Sequence, residues 1–227
     1  MTEAESTNQE QKEQGGGYLY DNERREILPY VPDTARFILD VGCGTGRFAA
    51  LLKERNQATV WGIEQSTHAA GLAGKKLDKM FNMSVEEVFP LLGQSRFDAI
   101  IMLDILEHLN DPGEVVARLR PFLKKDGVMI CSIPNIRYFK TMRDLLLFGE
   151  WEYQESGILD RTHIRFFTYK SIIKFFRRLG FKIIRIEGIN PSASLKFRIA
   201  NALLFNKFWD CKYLQFACVV CQDNDTN

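Results

Sequence analysis

The sequence lacks most of the features that would place it outside ordinary globular chemistry. No apolar run approaches the ~20 residues that a membrane-spanning helix needs. The first 17 residues, Met1 to Gly17, are polar and rich in Glu and Gln, without the apolar stretch of an export signal. Cysteine is sparse and odd in number, five in 227 residues. That excludes a disulfide-dense small fold and, with no export signal, points to a reducing compartment, so a cytoplasmic location is expected. Histidine occurs three times, as His68, His108 and His163, which limits where imidazole chemistry can arise. There is no internal repeat and no collagen-like period. What remains is 45% hydrophobic and 26% charged, the proportions of a folded chain with a core of normal size.

Net charge is only +1, but it is unevenly spread. Residues 1–26 carry seven acids against three bases, and residues 161–212 carry twelve Lys and Arg against two acids. A basic segment of this kind attracts anions such as nucleic acid, lipid headgroups or phosphorylated substrates, or is a solvated face balanced by acids elsewhere.

Residues 1–17 read as a disordered tail ending in three glycines. From there strands and helices alternate. Strands are predicted at Phe37–Val41, Val60–Ile63, Met80–Met83, Phe97–Leu103, Val128–Ile133, Phe181–Ile186 and Leu214–Val220. Helices are predicted at Arg47–Arg55, Thr67–Leu77, Asp111–Phe122, Ser171–Leu179 and Leu195–Phe208, and a turn at Asp126-Gly127. The alternation predicts an α/β fold: a Rossmann-like, seven-stranded, mainly parallel sheet with helices on both faces. Residues 18–221 form this domain, with a short tail at 222–227. Ligands of such sheets sit at the carboxyl ends of the strands. Residues 135–168 interrupt the rhythm and contain Tyr138, Phe139, Phe148, Trp151 and Tyr153. They are expected to form a lid after strand five, with aromatic faces suited to sugar rings or planar acceptors, unless those residues simply pack the segment down.

The first strand runs into Asp40-Val41-Gly42-Cys43-Gly44-Thr45-Gly46. This is G-x-G-x-G, and Arg47 stands where a dinucleotide fingerprint wants a small residue. Alternating glycines let a ligand approach the backbone closely, and Asp40 can receive a cation or a hydrogen-bond donor. Glu64 ends the second strand, where a carboxylate can accept from both hydroxyls of a ribose. Loop and acid together describe a nucleoside ligand without a diphosphate.

The run Ile38 to Gly46 resembles the cofactor loop of class I S-adenosylmethionine-dependent methyltransferases. The stretch Phe97-Asp98 through Leu103-Asp104-Ile105-Leu106-Glu107-His108-Leu109, Asp111-Pro112, Leu119-Arg120-Pro121 and Ser132-Ile133-Pro134-Asn135 is similar too. Residues 160–168, Asp-Arg-Thr-His-Ile-Arg-Phe-Phe-Thr, resemble a subgroup associated with surface-polysaccharide biosynthesis and, more distantly, the ubiquinone-pathway O-methyltransferases. The resemblance implies S-adenosyl-L-methionine as cofactor, with Gly42, Gly44 and Gly46 along its methionine part and Glu64 on the ribose with Gln65 beside it. It also implies Ser84, followed by Val85, at the adenine amino group, and the Leu103 carbonyl at the cofactor's amino group. Tyr18 or Tyr20 would close over the cofactor.

Transfer of a methyl group to an alcohol requires that the acceptor lose a proton, and a general base supplies ~10²–10⁴-fold. His68 follows Glu64 on a solvated helix and is set aside. His108 follows strand four and His163 lies in the lid segment; both are expected to be catalytic. Asp104, Glu107 and His108 form D-x-x-E-H, which on a helix shares one face and could bind a divalent metal. The same residues could instead orient the loop, and no metal is expected. Cys218-Val219-Val220-Cys221 sits in a strand, where positions three apart face opposite ways, so it reads as core.

The expected function is O-methylation of a sugar, glycan precursor or related small metabolite, and an anionic acceptor is expected because Arg161 and Arg165 flank His163. Peripheral membrane contact by helix Leu195–Phe208 is possible. Quinone or phenol acceptors, a nucleic-acid acceptor and a non-catalytic cofactor-binding protein are the competing readings. Nucleic acid is disfavoured because Leu103-Asp104-Ile105-Leu106 replaces the Asn-Pro-Pro-Tyr type motif of amino-group methyltransferases.

Overall fold

The fold follows from short apolar runs that glycine or a capping residue brings to a stop. In a computed structural model, residues 23–223 are described. The expected N-terminal tail, the Tyr18/Tyr20 cover and residues 224–227 lie outside the described residues.

The described residues fall into two compact units, divided between Ile100 and Ile101. The first contains strands β1 (Phe37–Val41), β2 (Thr59–Ile63) and β3 (Lys79–Phe81) and helices α1 (Arg47–Asn56), α2 (Thr67–Ala73) and α3 (Val85–Leu92). Strand β4 (Phe97–Leu103) begins in it and ends in the second. The second unit contains α4 (Pro112–Leu119), β5 (Leu123–Pro134), α5 (Phe139–Arg143), α6 (Tyr169–Arg178), β6 (Phe181–Pro191), α7 (Leu195–Leu203) and β7 (Tyr213–Gln222). The strands form one seven-stranded sheet in the order β3-β2-β1-β4-β5-β7-β6. β1, β2 and β3 pair in parallel, with Asp40 opposite Gly62 and Gly62 opposite Met80. β7 pairs antiparallel with both β5 and β6.

In the first unit Ile38, Leu39 and Val60 are fully buried. Phe37, Trp61, Phe81 and Phe97 make an aromatic cluster, with ring centroids 4.5 Å apart for Phe37–Phe97 and 5.0 Å for Phe37–Trp61. Such ring contacts, edge-to-face wherever Trp61 takes part, add to the apolar burial. Ser66 caps α2 by accepting from the Ala69 amide at 3.3 Å. In the second unit Asp111 accepts from the Glu114 amide at 2.9 Å, with Pro112 opening α4. That is the start signal read from the sequence.

Several boundaries differ from expectation. α3 is absent from the sequence reading, because Pro90 inside Val85–Leu92 masks a helix whose buried face is Val85, Val88, Phe89 and Leu92. Asp126-Gly127 is not a turn but part of β5, which starts at Leu123; Lys124, Lys125 and Asp126 are exposed along its first residues. α2 stops at Ala73, and the Lys76 and Leu77 amides both turn back onto the Ala73 carbonyl. α7 stops at Leu203, because Phe205 and Asn206 take left-handed φ of 53° and 55°. Residues 135–168 do break the alternation. α5 is followed by one wide helical turn, Asp144–Phe148, and the segment is tied down by bridges Asn135–Phe167 and Gln154–Asp160. Among the described residues no helix is long and apolar enough to cross a membrane.

Candidate active site

The glycine loop occupies the first unit, at the carboxyl ends of β1 and β2. Gly42, Gly44 and Gly46 have φ of 70°, 53° and 73°, a region that only glycine enters without steric cost. The Gly42 and Cys43 amides both donate to the Ile63 carbonyl, at 2.8 and 3.1 Å. A Cβ on Gly46 would lie 3.0 Å from Ala73, so loop and α2 approach as closely as glycine permits.

Glu64 is buried, and both of its carboxylate oxygens are engaged. Oε2 accepts from the Gly44 amide at 3.0 Å and Oε1 from the Ser66 amide at 2.8 Å. Asp40 is 3% exposed. Burial, and then the negative charge of Glu64, push its carboxyl up to about 8. The loop therefore holds two buried carboxyl groups and a backbone held open by positive φ. A cationic, hydroxyl-rich nucleoside suits that donor and acceptor set; a second anion such as a diphosphate does not.

The remaining cofactor candidates are placed as follows. Gln65 stands next to Glu64, and its carbonyl accepts from Asn82 Nδ2 at 3.1 Å. The Glu64 carbonyl accepts from the same amide at 2.9 Å. Ser84 donates its hydroxyl to Glu87 at 2.9 Å, where α3 begins at Val85. Leu103 ends β4 in the second unit. Two residues that the sequence reading missed hold these turns: Asn82, on the Glu64 and Gln65 carbonyls, and Lys76, whose ammonium donates to the Thr45 carbonyl of the glycine loop at 2.5 Å. A lone Asn or Lys after a strand carries no signal of its own, because its role depends on which carbonyl folds back to it.

The second unit brings together a different group. Residues 104–109 are turns, not a helix, and Asp104 has φ of 54°. The expected shared face of Asp104, Glu107 and His108 therefore does not form. Asp104 instead accepts from the Ser132 hydroxyl at 3.0 Å and from Gln215 at 2.8 Å. His163 replaces it: donor atoms of Glu107, His108 and His163 all lie within 4.8 Å of one another. The Ile164 and Arg165 amides donate to the Glu107 carbonyl at 2.9 and 3.0 Å, pinning two segments 57 residues apart in sequence. His163 Nε2 is 3.9 Å from Glu107 Oε1, with both side chains buried. The two imidazole rings stand edge-to-face at 4.7 Å. Burial and the neighbouring His163 hold His108 below the usual imidazole range. A carboxylate and two imidazoles in this arrangement can take up a proton or hold a divalent ion. His68 is exposed on α2.

Arg161 pairs with Glu155 at 2.9 Å, and Arg165 donates to the Asn110 carbonyl. All five cysteines are free, and Cys218 faces Cys131 across β7 and β5 inside the core. Two clefts lie in the second unit. One of about 270 Å³ is lined by Tyr138, Lys140, Glu150, Glu152, Ile158 and Leu214. Another of about 340 Å³ is lined by Gly113, Phe166, Ser171, Lys174, Phe175 and Arg178.

Residues 12–186 match the family model of a methyltransferase domain. The chain is 26% identical over 180 residues to a ubiquinone biosynthesis O-methyltransferase of Burkholderia orbicola, with 77% of each chain covered. Its fold is similar to that of a SAM dependent methyltransferase from Archaeoglobus fulgidus, with TM-score 0.67, 17% identity and coverage of 86% of this chain and 90% of that one. It is also similar to the Burkholderia thailandensis 1,6-didemethyltoxoflavin-N1-methyltransferase, solved with 1,6-didemethyltoxoflavin and S-adenosylhomocysteine bound, with TM-score 0.64, 17% identity and coverage of 96% and 87%.

Proposed function

The chain belongs to the methyltransferase domain family, and on that premise we propose that it transfers a methyl group from S-adenosyl-L-methionine to an oxygen of a small acceptor. The observation that carries the reading is the glycine loop closed by Glu64, a buried carboxylate whose two oxygens already accept two amide hydrogen bonds. Gly42, Gly44 and Gly46 would hold the methionine part, Glu64 with Gln65 the ribose, and Ser84, Val85 and Leu103 the remaining polar and apolar edges. Asp40 would face the cofactor's positive charge. The cofactor, when bound, supplies an activated methyl group; the protein's task is to align the acceptor and relieve it of a proton. His108 and His163 are the residues that activate the acceptor oxygen, held together by the Glu107 carbonyl's two backbone bonds.

For the acceptor we infer a sugar or glycan precursor. Supporting this are the exposed aromatic faces of the 135–168 segment, which would serve as a substrate cap. Trp151 and Phe166 stand edge-to-face at 5.7 Å, 38% and 37% exposed. An anionic group on the acceptor would meet Lys174 and Arg178 in the 340 Å³ cleft, because Arg161 and Arg165 are engaged elsewhere. A phenol-type acceptor is the second reading, favoured by the names of the ubiquinone-pathway relatives. Five free thiols suit the reducing cytoplasm.

The test is a screen of nucleotide-linked sugars, lipid-diphosphate-linked sugars and phenols with radiolabelled methyl donor. Label entering a sugar hydroxyl supports the reading. Label entering only phenols replaces the acceptor, and no cofactor binding by calorimetry rejects the function.

A further inference from the structure

We propose that helix α7 and the turn after it form a docking surface for a membrane rich in anionic lipid. A helix on a protein surface ordinarily turns its apolar stripe toward the core. The helix α7 (Leu195–Leu203) does the reverse. At about 100° per residue, Leu195, Ile199, Ala202 and Leu203 share one arc of about 100°. All four are exposed, Leu203 to 76%. The opposite arc carries Phe197, stacked on Phe139 of α5 at 4.8 Å, and the buried Asn201. The side that packs down is thus held by one ring and one amide, while the aliphatic row faces outward.

The turn that follows extends the row. Phe205 is 88% exposed and takes φ of 53°, a region that bulky side chains rarely enter. Asn201 builds that turn. Its carbonyl accepts the Asn206 amide at 2.8 Å, and its side-chain oxygen accepts the Phe208 amide at 3.0 Å. A buried polar side chain therefore fixes the backbone that presents Phe205 to solvent. Leu204, Phe208 and Trp209 are exposed beside it. A contiguous apolar patch of this size on a surface marks a contact with another phase or partner.

Charge selects the partner. On the helix, Lys196 and Arg198 stand at the two borders of the apolar arc, and Lys207 and Lys212 follow in sequence. The one acid of residues 192–212, Asp210, is buried and paired with Arg137 at 2.8 Å. The charge that this segment shows to solvent is therefore positive throughout. An apolar face rimmed by long cationic side chains is the form of an interfacial helix: the face enters the acyl boundary and the cations reach the phosphates. Each Lys or Arg near an anionic surface strengthens binding by about fivefold. Trp209 suits the headgroup level, where one end of the ring is wet. At nine residues α7 is too short to span a bilayer, so it lies in the plane of the surface. A second copy of the chain fits the patch poorly. A two-fold contact would ring the stripe with the cations of both copies, and the stripe offers far fewer than the ~20–30 residues a side of a stable interface. None of these residues belongs to the glycine loop or to the histidine cluster, so vesicle binding and methyl transfer can be lost separately.

The test is co-sedimentation of the full chain with vesicles of phosphatidylcholine alone, and of phosphatidylcholine and phosphatidylglycerol in equal parts. Binding to the acidic vesicles is expected, with little to the neutral ones. Raising salt from about 0.1 M to about 1 M shortens the screening length from about 10 Å to about 3 Å and should weaken binding about tenfold or more. Leu203→Ser and Phe205→Ser should each weaken it about tenfold, and Lys207→Gln about fivefold. Leu91→Ser, at an exposed residue of α3 in the first unit, should change nothing. Circular dichroism accompanies each variant, and Lys207→Gln keeps the test independent of the apolar row. Absence of binding to acidic vesicles overturns the proposal, as does equal binding to both kinds. Unchanged binding by Leu203→Ser and Phe205→Ser overturns it too. A dimer in sedimentation velocity that Phe205→Ser dissociates, without vesicle binding, gives the surface to a second copy and overturns it equally.

Discussion

Glu64 holds Gly44: across 20 residues of sequence its Oε2 accepts the Gly44 amide at 3.0 Å, while its other oxygen accepts the Ser66 amide. One buried carboxylate thus ties the turn after β1 to the turn after β2. Each oxygen keeps a second acceptor site, so a ribose arriving there can bind the carboxylate while the amides hold it in place.

Glu64→Ala should weaken S-adenosylmethionine binding by about 1.5–3 kcal/mol, the range for losing a charged acceptor of hydrogen bonds. Titration calorimetry measures this. An unchanged affinity would remove Glu64 from the cofactor site.

The two halves of the proposed chemistry should separate kinetically. His108→Ala should lower kcat by about 10²-fold or more while the cofactor Kd stays within error. If both fall together, His108 belongs to the cofactor site or to the fold.

Asp40 gives the stability a pH dependence of definite sign. Its folded value, pushed up to about 8 by burial and by Glu64, lies above the ~4 of an unfolded carboxyl. The folded chain therefore holds the proton more tightly, and this contribution is complete below about pH 4 and lost as pH rises toward 8. The groups around the site are Glu64, Cys43 and Lys76. Asp40→Asn should flatten the fall in Tm between pH 5 and pH 8, read by calorimetry without cofactor. A parallel slope in variant and parent would contradict it.

Gly46→Ala should destabilise by about 1–3 kcal/mol. It places a side chain at φ of 73° and a methyl 3.0 Å from Ala73. Gly71→Ala, where nothing lies within 4 Å of the added carbon, is the control and should be neutral or slightly stabilising in a helix. Urea midpoints decide.

Much of this molecule was legible in the sequence by itself. Apolar runs such as Phe37–Val41 and Phe97–Leu103 fix strands because their neighbours in sequence leave no other way to bury them. Gly42, Gly44, Gly46 and Glu64 could be read because positive φ and a strand-ending acid are local demands. What only the tertiary structure decided is which polar groups meet. Asp104 turned to Ser132 and Gln215, and His163 took its place beside Glu107 and His108, because backbone amides 57 residues further on found the Glu107 carbonyl. No spacing rule carries that pairing. A hydrogen bond between distant segments is set by the path of the chain between them, here the irregular stretch from Pro134 to Thr168, whose course follows its packing and not its periodicity.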